Sequence, residues 1–135
     1  EPVYYGEVTG PGLDQATMFA CNNQFPYIFY VSNNKVYQFY VNTPDTPAKE
    51  VLSFPGEEIK VIKFNAFVAW EAYENWERAR EYQLVVGTTV NGKEEDMGIM
   101  RLYEVPNLME PLNLKHQIEN LGDIVDITYK ERALS

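Results

Sequence analysis

Few side chains in this sequence have the types and spacing that chemistry needs. His116 is the only histidine and Cys21 the only cysteine. One imidazole leaves no multi-histidine metal site, and one thiol leaves neither an internal disulfide nor a cysteine cluster for zinc. Cys21 lies in the apolar run TMFAC and is expected to be a buried, inert thiol. Ser32 and Ser53 sit in no nucleophile elbow, and Ser135 is the last residue given. Neither a GxGxxG turn nor a Walker-type phosphate loop occurs. Among the 20 acidic residues, Glu57, Glu58, Asp123 and Asp126 fall at strand starts or within strand alternation. No pair stands apart as the one protonated and one ionised carboxyl that glycoside hydrolysis needs. No catalytic, cofactor-binding or metal residue is expected, and the chain is read as a non-enzyme.

Two local patterns suggest binding instead. Trp70, Tyr73 and Trp76 recur at i, i+3 and i+6, which would place them near one face of a helix. Flat aromatic rings make platforms for the apolar faces of sugars, although the same spacing would equally pack a helix onto a sheet. Glu94-Glu95-Asp96 offers three carboxylates to a calcium ion, but lacks the alternate-position spacing and glycine of a calcium loop. A solvated hairpin tip is the expected reading there.

The elements that must position these residues read mostly as strands. The 135 residues are 45% hydrophobic and 14% aromatic, enough for one buried core rich in strand-favouring Tyr and Phe. A net charge of −9 disfavours binding to a phosphate backbone. No stretch approaches the ~20 apolar residues that span a bilayer as a helix. The chain begins with Glu1 rather than Met and shows no signal peptide, as expected of a processed or trimmed product or a fragment. Strands are expected over 16–22, over a hairpin at 27–41 turning at Ser32-Asn33-Asn34, more weakly in AKEVLSF, and over 59–64 and 83–89. IMRLYEV follows a polar hairpin loop that starts at Asn91-Gly92. Alternation fails over 66–82, where Trp70 to Arg80 reads as a short helix. LNLKHQIEN is ambiguous between strand and helix, and IVDITYKER ends the chain as a strand with a charged tail.

Some of these strands resemble one another. KVYQF at 35–39 matches RLYEV at 101–105, placing Tyr37 against Tyr103. PYIFYV matches EYQLVV, placing Tyr27 against Tyr82, and EEIKVIKF matches GDIVDITY, placing Ile59 against Ile124 and Phe64 against Tyr129. Phe19 joins the last series, with Phe64 coming 45 residues later and Tyr129 a further 65. The surplus falls in the expected helix and in the lengthened hairpin loop, as a structural repeat permits. A unit of about 45 residues with four short strands has the size of a propeller blade. The expected fold is therefore all-β and antiparallel, with two propeller-like four-stranded blades at about 16–54 and 59–118. An extra strand follows at about 123–130, and a short helical insertion lies near 70–80. The alternating positions Tyr37 and Tyr103 are expected to pack between sheets. Two blades cannot close a ring, so self-association through uncovered faces or edges is expected.

The stretches GPGLDQATMFACNNQFPYIFYVSNNKVYQF, GEEIKVIKF and GDIVDITYKER give the chain a resemblance to the C-terminal, propeller-like part of the PKD-like family of Bacteroidetes surface lipoproteins. That resemblance covers nearly the whole chain but carries structural patterns only, and the segment 66–82 departs from it. It implies an extracytoplasmic site at the cell surface or periplasmic face of the outer membrane, with an upstream lipid anchor. It also implies partners among glycans or surface proteins, because such proteins accompany glycan-uptake systems. The expected function is a non-catalytic β-repeat module that binds a glycan or surface protein, with Trp70, Tyr73 and Trp76 as candidate ligand residues. The alternatives are a display scaffold, or part of an enzyme whose site lies in other blades.

Overall fold

A computed structural model describes residues 7–22, 25–68, 80–92, 97–124 and 126–127. They form two four-stranded antiparallel sheets, each a meander in chain order. Sheet one contains β1 (Met18–Cys21), β2 (Tyr27–Ser32), β3 (Lys35–Tyr40) and β4 (Lys49–Ser53). Sheet two contains β5 (Glu57–Val68), β6 (Arg80–Val90), β7 (Gly98–Glu104) and β8 (Asn113–Leu121). Helix is confined, among the described residues, to single 3-10 turns at Leu13–Gln15 and Asn107–Met109. The fold is all-β, and the described strands close no barrel.

Local chemistry explains the hairpins. Asn33 and Asn34 have φ of 50° and 59°, the twin left-handed residues of a type I′ turn, which matches the twist of the paired strands. Asn34 then clamps the next sheet: its Nδ2 donates to Glu57 O at 2.6 Å, and its Oδ1 accepts from Ile59 N at 2.8 Å. The ambiguous segment LNLKHQIEN, all but its first residue Leu112, lies in strand β8, where pairing to β7 decides what propensity leaves open.

The surplus length of the second unit is accommodated differently from the sequence expectation. β5 continues to Val68 and β6 begins at Arg80, with Ala66 opposite Tyr82 and Val68 opposite Arg80. Arg80, expected as the end of a helix, is thus a strand residue. The remainder of that expected helix, with Trp70, Tyr73 and Trp76, lies outside the described residues, as does the acidic tip at 94–96. Of the extra strand expected at 123–130, residues 123, 124, 126 and 127 are described, and none is in a strand.

Register gives the relation between the sheets. One cross-strand row in sheet one runs Phe19, Tyr30, Tyr37, Glu50. Its counterpart in sheet two runs Phe64, Leu84, Tyr103, Leu114. A β-bulge falls immediately before the tyrosine in each, between Val36 and Tyr37 and between Leu102 and Tyr103. A bulge adds an unpaired residue at one fixed place, and here it falls at the same row position in both sheets. The rows set Tyr37 level with Tyr103 and Phe19 level with Phe64. They correct one pairing: Tyr30 matches Leu84, so Tyr27 matches Glu81 rather than Tyr82. The two segments share a leading tyrosine, but a one-residue slip exchanges the faces of a strand.

Packing then shows which way the copies face. Ala20, Tyr27, Phe29, Val31 and Val36 of sheet one share one core with Ile59, Ile62, Phe64, Leu84, Val86, Tyr103 and Val105 of sheet two. Phe64 lies at the centre of its aromatic part, with ring centroids 5.1 Å from Phe29, 6.1 Å from Phe25 and 6.4 Å from Tyr27. Tyr30, Tyr37 and Phe39 point the other way, into a separate cluster with Ala48, covered by Val8, Leu13 and Ala16. The covering segment is fixed by Tyr30 Oη donating to Pro11 O at 2.9 Å and Ser32 Oγ donating to Gly12 O at 2.6 Å. Matching rows thus face outward in sheet one and inward in sheet two. The sheets stack head to tail, as in heterologous association, and not through one shared surface.

Two residues depart from the expected burial logic. Cys21 is exposed, because nothing among the described residues covers the outer face of β1; its neighbour Phe19 is 58% exposed on that face. Cys21 is therefore expected to react with an exposed-thiol reagent in the native state at close to its rate in denaturant. Gln38 is fully buried between the sheets, and neither its Nε2 nor its Oε1 has a hydrogen-bond partner. A buried, unpaired amide costs about 1–3 kcal/mol. The near-isosteric Gln38→Met is accordingly expected to raise stability by about 1 kcal/mol in urea denaturation.

Candidate functional site

The copy-to-copy comparison singles out one surface. The inner face of sheet one carries Met18, Ala20, Phe29, Val31, Val36, Gln38 and Leu52. The equivalent positions of sheet two, on its outer face, are Lys63, Asn65, Gln83, Val85, Leu102, Glu104 and His116. Only Val85 and Leu102 keep an apolar side chain. Where sheet one offers a greasy seat to its neighbour, sheet two offers hydrogen-bonding groups. Burying such groups without partners is unfavourable, so these seven positions do not repeat the apolar seat of sheet one.

Part of it is already covered. Ile124 and Ile127 lie over Gly87 and Val61: a Cβ added to Gly87 would come within 2.9 Å of Ile124, 3.2 Å of Ile127 and 2.8 Å of Val61. Glycine at 87 is what lets Ile124 and Ile127 approach. Lys63 Nζ holds Asp126 Oδ1 at 3.5 Å beside it.

The other end is an open groove of about 350 Å³ lined by Gln83, Leu102, Glu104, Lys115 and His116. Gln83 comes from β6, Leu102 and Glu104 from β7, and Lys115 and His116 from β8. Lys115 is the extra residue of the β7–β8 bulge, the place held by Val51 in sheet one. Its ammonium meets the Glu104 carboxylate at 2.9 Å. The groove thus combines a compensated ion pair, an amide, an imidazole and one apolar side chain on three adjacent strands.

A second polar group is more enclosed and plays a structural part. The Glu57 carboxylate accepts from Arg101 Nη1 at 2.8 Å, Arg101 Nη2 at 3.1 Å and Thr88 Oγ1 at 2.6 Å. Arg101 Nε donates to Gln117 Oε1 at 3.1 Å, and its guanidinium lies 4.6 Å from the centre of the Phe54 ring. Burial works to raise the pKa of Glu57, but the hydrogen bonds from Arg101 and Thr88 and the charge of Arg101 outweigh it and hold the carboxyl below its usual range. With each of the three guanidinium nitrogens directed at a partner, the network ties β5, β6, β7 and β8 together. Tyr103, buried on the same face, has its phenol pKa raised chiefly by that burial.

Of the residues singled out by sequence, Tyr37 and Tyr103 are both buried, each in a packing role. No group of three or more His, Cys, Asp or Glu is placed to hold a metal among the described residues. The groove was not anticipated. Its signal lay in differences between copies, above all His116 and Glu104 standing where Leu52 and Gln38 stand in the first unit, and that signal needs the strand register to be read. The chain matches no family model, no curated protein and no solved structure.

Proposed function

We propose that the chain is a non-catalytic β-repeat module, two propeller-like blades stacked head to tail, from an extracytoplasmic surface lipoprotein that binds a glycan or a surface protein. The observation that carries the repeat is the matched pair of rows, Phe19-Tyr30-Tyr37 and Phe64-Leu84-Tyr103, each with its bulge at the tyrosine. Radially repeated four-stranded units of this kind make propellers. The observation that favours binding is the replacement of an apolar seat by a polar groove on the second copy. The resemblance to PKD-like surface lipoproteins supplies the compartment and the class of partner.

The test is retention of polysaccharides on immobilised protein, run alongside an assay for newly released reducing ends. Retention without release is the expected result. Release of reducing ends would contradict the non-catalytic reading, and failure to retain any glycan or surface-protein extract component would contradict binding.

A further inference from the structure

We propose that the groove on the outer face of sheet two binds an uncharged saccharide unit and discriminates against acidic sugars; this rests on the glycan-binding reading above and places it at named atoms. Three features lead there. First, the lining can both give and accept hydrogen bonds: the Gln83 amide does both, the Glu104 carboxylate accepts, the Lys115 ammonium donates, and the His116 ring offers a further nitrogen. A sugar hydroxyl is itself a donor and an acceptor. Adjacent hydroxyls can therefore bridge a carboxylate and an ammonium held 2.9 Å apart.

Second, the charges cancel. Glu104 and Lys115 compensate one another in the groove, and the whole chain carries a net charge of −9. A carboxylate-bearing sugar would meet no uncompensated cation in the groove and a repulsive field around it. A neutral ring loses nothing by either. Third, the scale is right: a volume of about 350 Å³ lies at the small end of ligand sites. Leu102, one of the two positions on this face that stay apolar in both copies, supplies a surface for the C–H side of a sugar ring. None of this involves Trp70, Tyr73 or Trp76, which lie outside the described residues.

His116 is the only histidine, so its imidazole resonances report on this groove alone. The experiment is an NMR titration at pH 8 of the whole chain with neutral gluco-, manno- and galacto-trisaccharides and with the corresponding uronic-acid trisaccharides. Affinities are compared for wild type, His116→Ala and Glu104→Gln. The expected results are a saturable shift of the His116 signals with a neutral trisaccharide and about tenfold weaker binding by His116→Ala, the loss of one ligand hydrogen bond. Glu104→Gln, which leaves the groove with net positive charge, is expected to gain affinity for the uronic-acid series. Both positions line an open groove, and an unchanged melting temperature confirms that each variant is folded. If glycan binds while His116 signals stay fixed and His116→Ala binds as wild type, the groove is the wrong site and the glycan-binding reading survives. If wild type prefers the uronic-acid series, the assignment of a neutral ligand is wrong. If no glycan binds at all, both fall.

Discussion

Phe64→Ala is expected to destabilise the protein by about 3–5 kcal/mol, the range for removing a buried aromatic ring, whereas Phe19→Ala is expected to cost well under 1 kcal/mol. The two residues hold the same place in their units, each at the head of the row that leads through a β2 or β6 residue to the bulge tyrosine. Sequence context does not distinguish them. What differs is the neighbour. Phe64 is 8% exposed, seated against Tyr27 and Phe29 of the preceding sheet and Phe25 of its β1–β2 loop. Phe19 is 58% exposed, with Tyr30 of its own row at 6.1 Å. Urea denaturation of both variants measures the contrast. Equal losses would mean either that Phe19 is covered in solution or that Phe64 is not.

Arg101→Met is expected to cost about 3 kcal/mol, because it strands the largely buried Glu57 carboxylate without its bidentate partner. The double variant Glu57→Met with Arg101→Met is expected to recover most of that loss, since replacing a whole buried pair by apolar side chains is near neutral. The difference between single and double variants is the coupling energy. The same pair sets an acid limit. A carboxyl held below its usual range contributes stability that is complete above the ordinary glutamate pKa and is lost as the pH falls through its lowered folded value. Wild type should therefore lose stability on acidification below the ordinary glutamate range, and the double variant should lose less over the same interval. Identical slopes would show that the network does not carry the acid sensitivity.

Much of this architecture was legible in the strand pattern. The pairing of KVYQF with RLYEV identified the third strand of each sheet, and the surplus of the second unit falls between β5 and β6, partly as longer strands, and between β6 and β7. The errors share one cause: burial of a strand residue depends on what the other sheet or the flanking chain lays over it. Cys21 reads as core in its own apolar run, yet β1 is uncovered on that side. Tyr27 and Tyr82 look equivalent by position, yet belong to opposite faces of their units. Arg80, the one residue of the expected helix that is described, pairs with Val68 in the β5–β6 ladder, where cross-strand pairing decides its conformation. The groove was the hardest feature to foresee, because it arises from Gln83, Glu104, Lys115 and His116 replacing Phe29, Gln38, Val51 and Leu52 in a second copy whose register no motif announces.

The head-to-tail relation between the sheets makes a prediction that a face-to-face sandwich does not share. In nuclear Overhauser spectra, the Tyr37 ring should connect to Tyr30, with which it stacks at 5.0 Å, and to the covering residues Val8, Leu13 and Ala16. The Tyr103 ring should connect only to the core between the sheets, within which Val36, Phe54 and Leu84 lie. That separation of two matching tyrosines into two clusters is the expected result. Cross-peaks linking both rings to one common set of core residues would contradict the stacking of successive copies.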